Sequence, residues 1–270
     1  KKPVMLFDQS AERVYQADSG LIPRMAGEAA LPNHLTVMNL LPGPHTLADG
    51  QNTLTLTFES PDQGGVKLRK SYTFTRGDYA IKVRHEVVNG TAAPIAPQLY
   101  LQLSRDGTVP SSSMFMGPTA FTGPAIYTEG SKFQKIAFTD IEKGKAKVPQ
   151  NADNGWVAMV QHHFASAWLA NDKMSREFFS KKISTNLYAT GMLLNLGDVA
   201  AGQTKAVDTQ LFVGPQEEVK LSQLAEGLEL VKDYGWTTIM AKSLFWLLNK
   251  LHGLLGNWGW AIVSLVLLLK

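Results

Sequence analysis

From Asn52 to Val88 the chain alternates apolar and polar residues with a period of two, and no other feature restricts its fold as much. In Thr53-Leu54-Thr55-Leu56-Thr57-Phe58 the leucines and the phenylalanine share one face and the threonines the other, the pattern of a half-buried strand. Val66, Leu68, Lys70, Tyr72 and Phe74 then alternate with Lys67, Arg69, Ser71, Thr73 and Thr75, and Tyr79, Ile81, Val83, His85 and Val87 alternate with mostly polar partners. Between these runs sits Arg76-Gly77-Asp78, whose glycine can take the positive φ of a tight hairpin. The spacing predicts adjacent antiparallel strands.

Turn signals recur at Asn89-Gly90, Pro94, Pro97, Asp106-Gly107, Gly117-Pro118, Gly123-Pro124, Glu129-Gly130 and Lys143-Gly144, so modest strands between close turns predict a mainly-β sandwich. A second strand-rich block covers Gly155 to Val160, Phe164 to Trp168, Ile183 to Leu196 and Lys205 to Val213. Its weaker alternation predicts burial on both faces. With 44% apolar and 18% charged residues, the 270-residue chain can bury a large core or two smaller ones.

After Gly214-Pro215 the pattern changes. Val219, Leu221, Leu224, Leu228 and Val231 recur at helical spacing over 216–232, with Pro215 where a helix could start. From Tyr234 to Leu255, a helix would gather Trp236, Met240, Leu244, Leu247, Leu251, Leu254 and Leu255 on one face, opposite Thr238, Lys242, Asn249 and His252. That stretch has Lys242 and Lys250 but no acid, which suits either a bilayer interface or an ordinary amphipathic helix packed on the sandwich. The final GNWGWAIVSLVLLLK reads either as a last buried helix or as the start of a membrane span, and its twelve apolar-rich positions after Asn257 are too few to cross a bilayer alone, which favours the buried helix on the residues by themselves.

Charge and residue usage exclude several functions. A net charge of +3 without a basic stripe argues against nucleic-acid binding, and the absence of cysteine removes disulfides, thiolate metal sites and cysteine nucleophiles. The opening Lys1-Lys2-Pro3-Val4-Met5-Leu6-Phe7 meets Asp8 before an apolar run can form, so it is not a signal peptide and reads as a cut inside a longer protein.

Motifs suggestive of chemistry have simpler readings. Arg76-Gly77-Asp78 is explained by its hairpin. His162-His163, as strand neighbours, would point to opposite faces and could not share a metal, so no metal site is predicted. Thr108 and Ser111-Ser112-Ser113 lie in a loop without a nearby histidine to activate a nucleophile. Asp140 and Glu142 are read as a solvated strand end rather than a glycosidase pair. No glycine loop cradles phosphate, and no cofactor or enzymatic activity is predicted.

Five segments together carry a family resemblance: Arg76-Gly77-Asp78-Tyr79-Ala80; Gly155-Trp156-Val157-Ala158-Met159 with Phe164-Ala165-Ser166-Ala167-Trp168; Val213-Gly214-Pro215; Asp233-Tyr234-Gly235-Trp236; and Gly256-Asn257-Trp258-Gly259-Trp260. In this order and spacing the chain resembles the YidC/Oxa/Alb family of membrane protein insertases, over the large periplasmic domain and the start of the first core membrane helix. The resemblance implies a β-supersandwich like that of galactose mutarotases, held in the periplasm at the bacterial inner membrane. It divides the chain into a sandwich at 1–215, a helical segment packed on it at 216–233, an interfacial helix at 234–255 and the start of a transmembrane helix at 256–270.

The implied function is insertion and folding of nascent membrane proteins, alone or with the Sec translocon and its SecDF accessory. Further family segments would precede Lys1 and follow Lys270. Trp236, Leu244, Leu247, Leu251, Trp258 and Trp260 would anchor the chain to the lipid bilayer, and Lys270 would place a basic charge in a water-filled substrate groove. Lysine keeps that charge but not the planar fork of the arginine often found there. Residues 101 to 153 would offer surfaces to SecDF. The alternative is a periplasmic carbohydrate-binding or carbohydrate-active sandwich with a membrane anchor.

Overall fold

The computed structural model describes residues 5–10, 13–25, 27, 29–108, 121–171, 173–232 and 238–269. Its strands are β1 (Asp8–Gln9), β2 (Val14–Pro23), β3 (Asn39–Leu40), β4 (Thr53–Glu59), β5 (Val66–Thr75), β6 (Ala80–Asn89), β7 (Pro97–Asp106), β8 (Gly123–Tyr127) and β9 (Gln134–Lys135). A short helix α1 (Phe138–Glu142) precedes β10 (Asn151–Ala152), β11 (Trp156–Val160), β12 (Phe164–Ala170), β13 (Arg176–Ser184), β14 (Leu187–Asn195) and β15 (Thr204–Pro215). Then come α2 (Glu218–Leu224), a 3-10 turn (Leu228–Val231), α3 (Thr238–Leu255) and α4 (Trp258–Leu269).

The strands form two antiparallel sheets. One has six strands in the order β1-β2-β7-β14-β13-β10, and the other nine in the order β3-β4-β5-β6-β15-β12-β11-β8-β9. The alternating run becomes β4, β5 and β6 in register, with Leu56 opposite Tyr72 and Tyr72 opposite Val83. Gly77 closes the hairpin at φ 77°, and the Asp78 amide donates to the Thr75 carbonyl at 3.1 Å. Leu99, Leu101, Leu103 and Met192 of one sheet and Leu68, Val83, Val157 and Trp168 of the other belong to a common core. The two sheets are also tied by hydrogen bonds, because the Trp168 indole donates to the Gln102 carbonyl at 3.0 Å and Tyr15 reaches Ser166.

β11 is buried throughout and β12 along its middle, as weak alternation predicts, but β13 exposes Lys181 to Ser184. Ile183 to Leu196 is not one strand. It holds the end of β13, a turn with Asn186 at φ 51°, and all of β14. Both sheets end in two-residue strands, which leave little edge for pairing with another chain.

Residues 216–232 are likewise not one helix. Pro215 ends β15, α2 starts at Glu218, and the chain breaks where Ala225 is extended and Gly227 takes φ 72°. The helical spacing survives only as contacts: Leu221, Leu228 and Val231 are buried, while Val219 is exposed. Asp140 and Glu142 lie on α1 and not on a strand. Glu142 is tied to Lys182 at 2.7 Å and to the Tyr188 hydroxyl at 2.9 Å, which holds its carboxyl below the usual range.

The described residues form two compact units, one taking in the sandwich with α2 and the 3-10 turn, the other holding α3 and α4.

Candidate functional site

The residues expected to act in the membrane fall on α3 and α4, apart from Trp236 and Lys270, which lie outside the described residues. The two helices follow one another through Gly256-Asn257. Gly256 takes φ 64° and its amide donates to the His252 carbonyl at 2.8 Å, closing α3. Asn257 then starts α4, its Oδ1 accepting from the Gly259 amide at 2.8 Å and the Trp260 amide at 3.3 Å. The Gly256-Asn257 pair that opens this segment is therefore, physically, a helix stop followed by a helix cap.

On α3, Leu244, Leu247 and Leu251 are partly buried, as one shared face predicts. Leu254 and Leu255 depart from that face, both exposed and Leu254 to 83%, and Phe245 and Trp246 are also exposed. His252, expected on the polar side, stacks on the Trp258 ring with centroids 3.9 Å apart. On α4, Ala261 is fully buried, whereas Trp258, Trp260, Ile262, Val263, Val266, Leu267, Leu268 and Leu269 are exposed. No charged side chain interrupts residues 258–269. A surface of this kind gains free energy in lipid or against other apolar helices. The 12 residues of α4 extend about 18 Å. No described helix is long and apolar enough to cross a membrane.

Two further constellations occur in the sandwich unit. Lys70 and His85 occupy the inward phase of β5 and β6, 6% and 1% exposed, so no substrate reaches them. The Lys70 ammonium donates to the Ser19 carbonyl, and His85 Nε2 bonds the Ser19 hydroxyl at 2.9 Å, leaving Nδ1 without a partner. Asp18 accepts from Gln102 Nε2 at 3.1 Å and Ser104 Oγ at 2.9 Å. Burial pushes Lys70 down to about 8 against the pull of Asp18. It pushes His85 down to about 3, with the Lys70 charge adding to the effect.

The second is a cavity of about 270 Å³ bounded by Tyr127, Trp156, Glu129, Asn154, Asn171 and Glu226. Tyr127 stacks on Trp156 at 5.7 Å. The Tyr127 hydroxyl donates to the Glu226 carboxylate at 2.7 Å, and the Trp156 indole donates to the Glu226 carbonyl at 2.9 Å. That bond to the carboxylate is the chief reason the tyrosine pKa is pushed up to about 12. The buried Arg176 supports this wall by donating to the carbonyls of Gly155 at 2.7 Å, Asp153 at 3.2 Å and Met174 at 3.1 Å.

His162 and His163 sit in the β11–β12 turn, not on a strand, so their rings come together with centroids 4.0 Å apart. The opposite-face argument therefore fails, although both remain exposed. Among the described residues no group of three or more metal-ligating side chains occurs. The Thr108 amide donates to Asp106, and Ser111 to Ser113 lie outside the described residues. The sequence offered one signal for the interior cluster, since Lys70 and His85 stand in the apolar phase of their strands. It offered none for the Tyr127–Glu226 pairing, whose partners are 99 positions apart.

Comparison with known proteins places this architecture. The family model of the YidC periplasmic domain matches residues 1–247. Proteins named membrane protein insertase YidC match it at 51% identity in Cupriavidus taiwanensis, over 100% of this chain and 46% of that protein, and at 52% in Ralstonia nicotianae, over 99% and 47%. The chain thus spans a little under half the length of these relatives. Among solved structures, a galactose mutarotase related enzyme from Lactobacillus acidophilus is 10% identical with a TM-score of 0.42, over 68% of this chain and 75% of that one. By the family match and the extent of these identities, the chain belongs to the YidC family.

Proposed function

We propose that this chain is part of a bacterial inner-membrane insertase that inserts and folds membrane proteins, alone or with the Sec translocon. The observation that carries the reading is that relatives named membrane protein insertase match essentially the whole chain at about half identity. Residues 1–215 are the periplasmic scaffold, with SecDF docking on surfaces within 101 to 153. Residues 216–233 brace the scaffold, 234–255 lie in the bilayer interface and 256–270 begin a membrane helix. The exposed apolar side chains of α4 and the tryptophans at its start support that placement.

The proposed mechanism is attraction followed by partition. A basic charge at Lys270, lowered into a water-filled groove, draws polar or acidic parts of a nascent segment away from bulk water while its apolar stretch moves into lipid. No covalent chemistry is involved, so the chain acts without an enzymatic step. The carbohydrate reading gains nothing from a fold likeness to sugar enzymes at 10% identity.

The test is complementation. In the full-length protein, Lys270→Arg is expected to restore growth of insertase-depleted cells and Lys270→Ala to lose most of it. Full rescue by alanine at equal protein level would contradict the role of the groove charge.

A further inference from the structure

Between β2 and β3 the sandwich unit presents Leu35 and Val37 at 79% and 82% exposure, and no other large apolar side chain among its described residues is as exposed. Such residues usually sit on a mobile loop, but here the main chain beneath them is locked. The Asn33 carbonyl accepts from the Thr36 amide at 3.1 Å, and its Oδ1 accepts from the Leu35 amide at 2.8 Å. The Asn33 amide in turn donates to the Thr36 hydroxyl at 3.0 Å.

This turn is pinned to the six-stranded sheet. The His34 amide donates to the Tyr100 hydroxyl on β7 at 2.9 Å, and the His34 ring bonds the same oxygen through Nδ1. The Leu21 amide on β2 donates to the Pro32 carbonyl at 2.9 Å. Gly20, opposite Tyr100 in the sheet, makes the close approach possible, because a Cβ there would lie 2.6 Å from Asn33 Cα. The two aliphatic side chains are therefore held out in solvent on a preformed turn, which lowers the ordering cost of any contact they make.

What can cover them is limited by area and charge. Together they offer on the order of 200 Å² of apolar surface, against about 800 Å² per partner in a stable protein–protein interface. Residues 29–48 contain no Asp, Glu, Lys or Arg, so the turn lacks a charged rim with which to select a protein partner. A bilayer needs neither a large area nor a rim. For a chain already tethered to the membrane, a small apolar insertion suffices, since the lipid is then at high effective concentration.

We propose that the 33–37 turn is a second lipid contact of this chain, with Leu35 and Val37 entering the bilayer interface. The proposal rests on the membrane placement of α4 given above.

The experiment attaches a nitroxide to one introduced cysteine at a time, in a chain that has no cysteine of its own, with the full chain reconstituted in phosphatidylcholine vesicles. The substitutions are Val37→Cys, Ser184→Cys on the exposed end of β13, and Val266→Cys on α4. The readout is the ratio of collisions with oxygen, which concentrates in lipid, to collisions with a water-soluble nickel chelate. The label on α4 is expected to read lipid and the label on β13 water, with the label at position 37 about threefold or more above the β13 ratio. Adding Leu35→Asp is expected to return position 37 to the β13 ratio. Equal ratios at 37 and 184 while α4 reads lipid would overturn the proposal and leave the placement of α4 standing. Water values at all three positions would overturn both. Shielding of position 37 from both reagents would also overturn the proposal, in favour of a contact with a second copy of this chain.

Discussion

At the residue scale, the most consequential side chains are two that interrupt an apolar phase. Lys70 and His85 sit where leucine or valine would complete the inward face of β5 and β6, and their position is readable from the period-two pattern alone. Their environment is not readable, because Ser19, Asp18, Gln102 and Ser104 arrive from the other sheet. His85 titrates near 6.5 when unfolded and is pushed down to about 3 when folded. The unfolded chain therefore binds the extra proton, and stability present above pH 6.5 is lost as pH falls toward 3. Lys70, pushed down to about 8, acts in the same direction between about 8 and 10.5, where raising pH stabilises the fold. Urea unfolding of the sandwich is predicted to lose several kcal/mol between pH 7 and pH 4. His85→Leu should flatten that dependence; an unchanged slope would remove His85 as its source.

At the element scale, legibility follows exposure. β4 to β6 are half-solvated, so their alternation is written in the sequence, and the hairpin at Gly77 lies where the turn residues place it. Where alternation fades, the boundaries do too, as in the stretch from Ile183 to Leu196. The helical period after Pro215 marks the buried Leu221, Leu228 and Val231 but also the exposed Val219, while the main-chain break at Ala225 and Gly227 is carried by two residues that many helices would tolerate. The α3–α4 junction is the opposite case, since glycine followed by asparagine is a stop and a cap in one dipeptide. Asn257→Ala is predicted to cost the helix start about 1 kcal/mol. The check is amide hydrogen exchange, which should quicken at Gly259 and Trp260 and stay unchanged in the sandwich; equal protection in the variant would mean the cap is dispensable.

At the scale of the whole molecule, the described residues divide into a β unit that carries most of the buried core and a helical unit that leaves its apolar side chains exposed. The β unit makes sense as a self-sufficient fold, tied across its sheets by Trp168, Tyr15 and their acceptors. The helical unit presents apolar side chains of the kind that gain free energy in lipid or against other apolar helices. Family membership was legible from five short segments in fixed order. The cavity chemistry was not, because its residues meet only after folding. The measurement that bears most directly on the central claim is replacement of the matching half of the Ralstonia nicotianae relative by this chain in insertase-depleted cells. The account predicts that the chimera restores insertion of membrane proteins and growth. A chimera that accumulates in the inner membrane at the relative's level yet inserts nothing would contradict it.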